Sequence, residues 1–285
     1  MGALKIKFLV LILVSILVFT NGCGGDQQTP SVADPSPVGA PTSTEAQTSP
    51  EPVIDKKVRV GSPEQELAIR CWGSGAPVVI LDAGSSSGGI ETFGALTDQI
   101  IAPLAERSMV CTYDRAGTGE TAPLPNKRRT IDDQAEELNA LLAAAEVPTP
   151  RVLVGSSWGG FVAVHTARNH PDGVGGLVLL DVPAGDPHLT AADAPDAAWD
   201  HAANVERVDS FHAERTMARD DRSLGDLPVT VVTADAGQSD PKDQQFWKLL
   251  SNDFSQVVLS GSHDIYLDDP KGVVDQIRKT VDAAG

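Results

Sequence analysis

The sequence predicts an α/β domain, built on a mostly parallel central sheet that is flanked by helices. Short β-rich runs alternate with longer segments of helical character from residue 55 onward. Several of the runs, such as PVVILDAG and GLVLLDV, are continuously apolar, which is typical of strands covered on both faces. Because strands that alternate with helices pair in parallel through crossover connections, we expect the chemistry to lie at the carboxyl ends of the strands.

The chain before residue 55 predicts two segments outside this domain. Residues 1–22 have the form of a secretory signal, in which two lysines precede an apolar run at 8–19. Residues 23–54 are rich in Pro, Ser, Thr and Gly and have no hydrophobic period, which predicts a disordered tether. The domain at 55–285 is therefore expected to fold in an exported setting, where disulfides are permitted.

The first half of the domain predicts a hairpin, two buried strands and two helices. The hairpin is VRVGSPEQELAIRCWG, because turn residues separate two β-rich arms. PVVILDAG and SMVCTYDR are the two strands, and ETFGALTDQIIAPLAE between them is helical. A second helix is predicted at IDDQAEELNALLAAAEV, where apolar residues recur at helical spacing and acids occupy the first turn.

The second half continues the alternation with one interruption. RVLVGSS predicts a strand, FVAVHTARNH the helix behind it, and GLVLLDV another buried strand. Residues 184–226 then break the rhythm with Ala, Asp and His and contain no buried strand. LPVTVVTA and SQVVLSG predict the last strands, and KGVVDQIRKTVDAA predicts the last helix.

A G-x-S-x-G motif, Gly155 to Gly159, lies between the strand RVLVGSS and the helix that follows. Glycines on both sides relieve crowding while the serine is held in a strained conformation that pushes its Oγ outward. The helix that begins there offers backbone N–H donors and the positive end of its dipole. We predict that Ser157 is a nucleophile, and the alternative is a glycine-rich tight turn.

A serine hydroxyl needs a base to take its proton and an acid to orient that base. His263 stands in LSGSHDIYLDDP, a loop flanked by Gly and Ser directly after the last strand. The other histidines fall on the helix after the turn or in the interrupting segment: His165, His170, His188, His201 and His212. We therefore predict that His263 is the base.

Together these segments resemble the α/β-hydrolase superfamily, and within it the carboxylesterase-like members that have a short lid. The resemblance covers roughly residues 58–283 and rests on AG after VVILD, YDRAGTGET, GSSWGG, HPDGVGGLVLLD and SGSHDIYLDDP. Serine before acid before histidine is also the chain order of that superfamily. The resemblance implies an ester hydrolase that uses an acyl-enzyme, a Ser-His-Asp triad and no cofactor, with residues 184–226 as the lid.

The resemblance also implies roles for further positions. The backbone N–H groups of Trp158 and Ser85 would bind the oxyanion. For the triad acid, Asp181 at the end of GLVLLD is favoured, with Asp240 ahead of Asp235 as alternatives after the next strand. A capping role in a turn is the competing interpretation of all three aspartates.

The chain contains three cysteines, for which resemblance to known proteins implies one disulfide and one lipid attachment site. In the strand order of the superfamily AIRCWG lies beside VCTYDR, which implies a Cys71–Cys111 disulfide; two buried thiols are the alternative. Cys23 follows the signal as in a bacterial lipoprotein, so it would be acylated and would hold the protein on the outer face of the cell membrane. The lipobox is imperfect, and ordinary secretion is the alternative.

The acidic composition of the chain limits the kinds of molecule that it is expected to bind. The formal net charge of −17, or −19 without the two signal lysines, disfavours nucleic acid and anionic lipid, so membrane contact is expected only through an anchor at Cys23. We predict no metal, since no His and acid spacing suits one, and read Asp114–Gly119 as a tight turn held by Arg115. A monomer acting on a small ester or acyl substrate is expected; a peptidase, a lactonase or a non-catalytic binding protein on the same fold are the alternatives.

Overall fold

A computed structural model of the chain describes residues 50–61 and 64–285. The predicted signal, Cys23 and the tether up to residue 49 lie outside the described residues. Within this part of the chain no helix is both long enough and apolar enough to cross a membrane.

One sheet of eight strands forms the centre of the fold, in the order β1-β2-β4-β3-β5-β6-β7-β8. β1 and β2 form the predicted hairpin, β2 is antiparallel to β4, and all other neighbours are parallel. The strands are β1 Ile54–Val60, β2 Gln65–Trp72, β3 Val78–Asp82, β4 Val110–Asp114, β5 Arg151–Ser156, β6 Val174–Leu180, β7 Val229–Ala234 and β8 Phe254–Leu259. The predicted α/β class and its mostly parallel sheet are therefore confirmed.

Helices cover both faces of this sheet. They are α1 Gly89–Gly94, α2 Ala102–Ala105, α3 Ile131–Ala144, α4 Trp158–Asn169, α5 Ser210–Met217, α6 Ile265–Asp268 and α7 Pro270–Ala284, with a π-helical turn at Thr97–Ile101 and 3₁₀ segments at Pro195–Ala197 and Asp243–Leu250. The single helix predicted at ETFGALTDQIIAPLAE is wrong in detail. It is divided into α1, the π turn and α2, because Leu96 leaves helical geometry with ψ of 26°.

Two hydrophobic cores lie on opposite faces of the sheet because successive residues of a strand point to opposite sides. Ile80 packs in one core with Leu138 of α3 and Phe161 of α4. Its neighbour Leu81 packs in the other core with Ile100 and with Ile277 of α7. The continuous apolar run of β3 is thus explained by burial on both faces.

Cys71 on β2 and Cys111 on β4 face each other in the antiparallel register and form a disulfide. Both are completely buried. The pairing that the resemblance implied is therefore present in the structure, and it joins the hairpin to the parallel part of the sheet.

The segment between β6 and β7 contributes no strand to the sheet, as the sequence predicts for residues 184–226. It contains a 3₁₀ turn and α5. Backbone bonds fasten it to the domain, since the Arg129 N–H donates to the Arg207 carbonyl at 2.8 Å and the Asp209 N–H donates to the Arg129 carbonyl at 2.9 Å.

Candidate active site

The residues predicted for the site stand at the carboxyl ends of four strands. Ser85 comes three residues after β3, Ser157 directly after β5, Asp181 directly after β6, and His263 four residues after β8. β3, β5 and β6 are consecutive neighbours in the sheet. The sheet topology therefore brings distant parts of the sequence to one edge.

Ser157 occupies a sharp turn between β5 and α4. Its backbone has a φ of 51° and a ψ of −118°, a conformation that residues other than glycine rarely adopt. A Cβ at Gly155 would lie 2.3 Å from the Gly159 carbonyl oxygen, and one at Gly159 would lie 2.5 Å from the Asp82 carbonyl oxygen. Only glycine fits at either position, which explains the spacing of the motif.

Asp181 and His263 are in direct contact. The His263 Nδ1 lies 2.7 Å from the Asp181 Oδ2, and the Asp181 side chain is completely buried. Other donors to the same carboxylate are the backbone N–H of Ala234 at 3.3 Å, the backbone N–H of Gln238 at 3.1 Å and the amide of Gln244 at 3.2 Å. This network orients the carboxylate toward the imidazole ring.

Asp235 and Asp240, the alternative acids, contact other groups. The Asp235 carboxylate accepts the Gly261 N–H at 2.9 Å, and this bond lowers the pKa of Asp235. The Asp240 carboxylate accepts the Lys242 N–H at 2.8 Å. The Asp235 contact links the end of β7 to the loop after β8, and the Asp240 contact is local. Among the three candidates, Asp181 is the one that contacts His263.

Two of the other histidines lie close to acids elsewhere in the fold. His165 lies 3.1 Å from Asp132, and His170 lies 3.1 Å from Glu136; both acids belong to α3. Burial lowers the pKa of His165. Within residues 50–61 and 64–285, no group of three His, Cys, Asp or Glu side chains could hold a metal ion.

Trp158 follows Ser157 directly in the chain, and Ser85 lies in the loop after β3. Trp158 is the first residue of α4, so its N–H is among those that have no partner inside the helix. The loop after β3 borders the serine, since a Cβ at Gly84 would lie 3.7 Å from the Ser157 Cβ. The Ser157 N–H donates to the Leu180 carbonyl at 3.1 Å, next to Asp181. The Ser157 hydroxyl makes no hydrogen bond to any described residue, so its pairing with His263 stays a prediction.

Sequence reasoning missed a buried polar network behind this edge. Arg115 was expected to hold its own turn, and its carbonyl does so by accepting the Thr118 N–H at 2.9 Å. Its guanidinium instead binds Asp82, Glu206 and the loop after β3. Burial raises the pKa of Asp82 to about 6, although the Arg115 charge opposes that shift. The position of Arg115 directly after a buried strand could have indicated this network from the sequence. Glu206 lies in an irregular segment, where no sequence pattern indicates a buried role.

Comparison with known proteins agrees with this architecture. Residues 77–224 match the family described as alpha/beta hydrolase fold, which is about half of the chain, so the protein belongs to that family. It is 26% identical over 211 residues to YqjL of Bacillus subtilis. The aligned region covers 70% of this chain and 81% of YqjL. It is 34% identical over 145 residues to the pimeloyl-[acyl-carrier protein] methyl ester esterase of Chromobacterium violaceum, over 50% of this chain but only 49% of that enzyme.

Among solved structures, the chain resembles a thermophilic esterase from Thermogutta terrifontis, with a TM-score of 0.62 at 21% identity. The match covers 80% of this chain and 99% of the esterase. At this level of identity the likeness concerns the fold alone.

Proposed function

We propose that this protein is a serine hydrolase that cleaves a carboxylic ester through an acyl-enzyme, with Ser157, His263 and Asp181 as its triad. The observation that carries the proposal is the 2.7 Å contact between His263 and a fully buried Asp181, at the same sheet edge as the strained Ser157. A histidine oriented by a carboxylate beside an outward-facing serine is the arrangement that acyl transfer requires.

The mechanism follows from these positions. Ser157 Oγ attacks the acyl carbon while His263 Nε2 takes its proton, and Asp181 stabilises the imidazolium that forms. The N–H groups of Ser85 and Trp158 bind the oxyanion of the tetrahedral intermediate. His263 then gives the proton to the departing alcohol, and a water molecule activated by His263 releases the acid. None of these steps uses a cofactor.

Two of the similar proteins support ester chemistry, and an enol-lactonase of the same fold makes lactone hydrolysis the alternative to test beside it. The Chromobacterium relative is named as an esterase that acts on a methyl ester, and the Thermogutta structure is that of an esterase. A peptidase or a lactonase would use the same triad, so substrate panels should include amides and lactones beside short-chain esters.

Labelling with a fluorophosphonate tests the proposal. We expect the purified chain to be labelled, the Ser157→Ala variant to remain unlabelled, and the Ser156→Ala variant, altered at the neighbouring serine, to be labelled like the natural chain. Absence of labelling in the folded natural chain would favour a non-catalytic binding protein. Labelling retained in Ser157→Ala would place the nucleophile elsewhere.

We also propose that the protein is exported and acylated at Cys23, with the Pro-rich segment as a tether. The support is the charged and apolar pattern of residues 1–22 followed by a cysteine. Mass spectrometry of the mature N-terminus in its native host decides this. A diacylated peptide beginning at Cys23 is expected, and an unmodified chain beginning elsewhere would contradict it.

A further inference from the structure

Glu206, in the segment between β6 and β7, forms a buried ion pair with Arg115. The Arg115 Nε lies 2.7 Å from Glu206 Oε2, and Nη2 lies 2.9 Å from Oε1; the two side chains are only 3% and 4% exposed. Burial opposes ionisation of Glu206, but the charge and hydrogen bonds of Arg115 outweigh it and lower the pKa of Glu206. A charged group this deep persists only when it is paired.

The same guanidinium fixes the loop that follows β3. It donates to the Ala83 carbonyl at 2.7 Å and to the Gly84 carbonyl at 2.6 Å. The Gly84–Ser85 peptide is trans, so its C=O and N–H point in opposite directions. Holding the Gly84 carbonyl on Arg115 therefore turns the Ser85 N–H away from Arg115, in a loop that borders Ser157.

Glu206 also binds the next peptide of this loop directly. The Ser86 N–H donates to Glu206 Oε1 at 2.7 Å, and the Ser86 hydroxyl donates to the Ala203 carbonyl at 3.1 Å. Ser86 has a φ of 59°, so the chain reverses there at some conformational expense. Contacts from the segment that contains Glu206 hold the reversal in place.

A second connection runs from Glu206 through Gln134 to Trp158, the residue after Ser157. The Gln134 amide nitrogen donates to Glu206 Oε2, and the Gln134 carbonyl oxygen accepts the Trp158 indole N–H at 2.8 Å. Trp158 follows the nucleophile and carries the other proposed oxyanion donor on its backbone. One carboxylate is thus connected, through Arg115 and through Gln134, to the loop that contains Ser85 and to the Trp158 side chain.

We propose that Glu206 is a positioning residue for the oxyanion hole, acting on the Ser85 N–H through Arg115 and on Trp158 through Gln134. The inference rests on the proposed serine hydrolase function. Oxyanion donors act by being held in place before the charge develops. Loss of the Glu206 carboxylate should therefore weaken binding of the transition state more than binding of the substrate.

The Glu206→Gln variant tests this in the full-length protein. We expect kcat per fluorophosphonate-titrated site to fall about 10²- to 10³-fold, as after loss of one oxyanion donor, with KM changed by less than about three-fold. The Ki of a trifluoromethyl ketone, which forms a tetrahedral oxyanion on the serine, should rise by the factor by which kcat/KM falls. Glu206→Asp, which keeps the charge, should recover part of kcat.

Glu214→Gln is the matched control. Glu214 is a second shielded glutamate of the same segment, and it accepts the Asp186 N–H at 2.9 Å rather than a group near Ser157. Its kcat and Ki should equal those of the natural protein. A Glu206→Gln protein that only melts earlier or titrates fewer active sites, with kcat per site unchanged, would overturn the proposal.

The connection through Gln134 can be tested without touching the buried charge. Trp158→Phe keeps the backbone N–H and an aromatic ring but removes the indole donor, and should lower kcat about five-fold, the equivalent of one hydrogen bond. This variant carries the test where Glu206→Gln does not fold, and an unchanged kcat there would contradict the inference. A natural protein that neither labels nor turns over any ester would instead defeat the proposed function itself.

Discussion

Asp181 shows how a single side chain is selected from several of the same type. Four donors from β7, the loop after it, the following 3₁₀ segment and the His263 loop converge on its carboxylate. Asp235 and Asp240 follow the next strand and use their carboxylates on neighbouring backbone N–H groups. The difference between an acid that orients a histidine and one that caps a turn is therefore a difference of surroundings.

Replacing each of these three acids with Asn should separate them. Asp181→Asn is expected to lower kcat by about 10³- to 10⁴-fold, because His263 would lose the group that sets its tautomer. Asp235→Asn and Asp240→Asn should stay close to the natural rate, since neither contacts His263. Steady-state ester hydrolysis with each folded variant provides the comparison, and a near-normal rate in Asp181→Asn would remove it from the triad.

Glu214 on α5 should make stability depend on pH. Burial raises the pKa of Glu214 from 4.5 to about 7, against the opposing hydrogen bond from Asp186. The folded state therefore retains a proton that the unfolded state releases, and the stability gained is complete below pH 4.5 and lost as pH rises through about 7.

A glutamine at this position keeps the hydrogen bond and never ionises. Glu214→Gln should match the natural protein near pH 4.5 and exceed its free energy of unfolding by about 2 kcal/mol near pH 8, after allowance for partial solvent screening. Urea titrations at several pH values measure this, with the exposed Glu91→Gln as the control for removing one acidic charge. A constant offset across the range would contradict the prediction.

At the scale of elements, the turn between β5 and α4 holds the proposed nucleophile in a strained conformation. The turn is closed by the Gly155 and Gly159 backbones, which admit no side chain, while Ser157 carries the unfavourable dihedral angles. Strain of this kind persists where the surrounding structure over-determines it, and it concentrates at functional sites.

Ser157→Gly should release that strain. We expect it to raise the free energy of unfolding by about 1 kcal/mol relative to Ser157→Ala, after the entropy that glycine adds to the unfolded chain is subtracted. Both variants lack the hydroxyl and should be inactive, so their difference isolates the backbone term. Equal chemical denaturation curves for the two variants would contradict the prediction.

At the scale of the whole molecule, the Cys71–Cys111 bridge joins residues 40 apart in sequence across the antiparallel part of the sheet. A closed loop of that length is expected to stabilise the fold by about 2–4 kcal/mol through the unfolded chain. The bridge connects β2 to β4, and β4 is the first strand of the parallel part of the sheet.

Reduction should reveal this contribution. Dithiothreitol is expected to lower the Tm of the natural protein and to leave the Cys71→Ala/Cys111→Ala double variant unchanged. A thiol titration of the denatured, unreduced chain should find at most the thiol of Cys23. Reaction of two further thiols would show that the bridge does not form.

The fold and the elbow were predictable from sequence because their signals are local. Continuous apolar runs, helical periodicity and glycine spacing each reflect what a short stretch of backbone can adopt. The hairpin, the buried strands and the strand-turn-helix around Ser157 all belong to this class, whereas the break in the predicted helix at Leu96 is a local detail that periodicity did not reveal.

The tertiary structure alone decided which distant groups meet. The contact of His263 with Asp181 spans 82 residues and that of Arg115 with Glu206 spans 91. Each depends on strand order, on side-chain reach and on the burial that makes an unpaired carboxylate unfavourable. No pattern within a short stretch of sequence contains that information. The family resemblance favoured Asp181 over Asp240 and Asp235, but its contact with His263 and the contact of Glu206 with Arg115 appear only when the sheet is assembled.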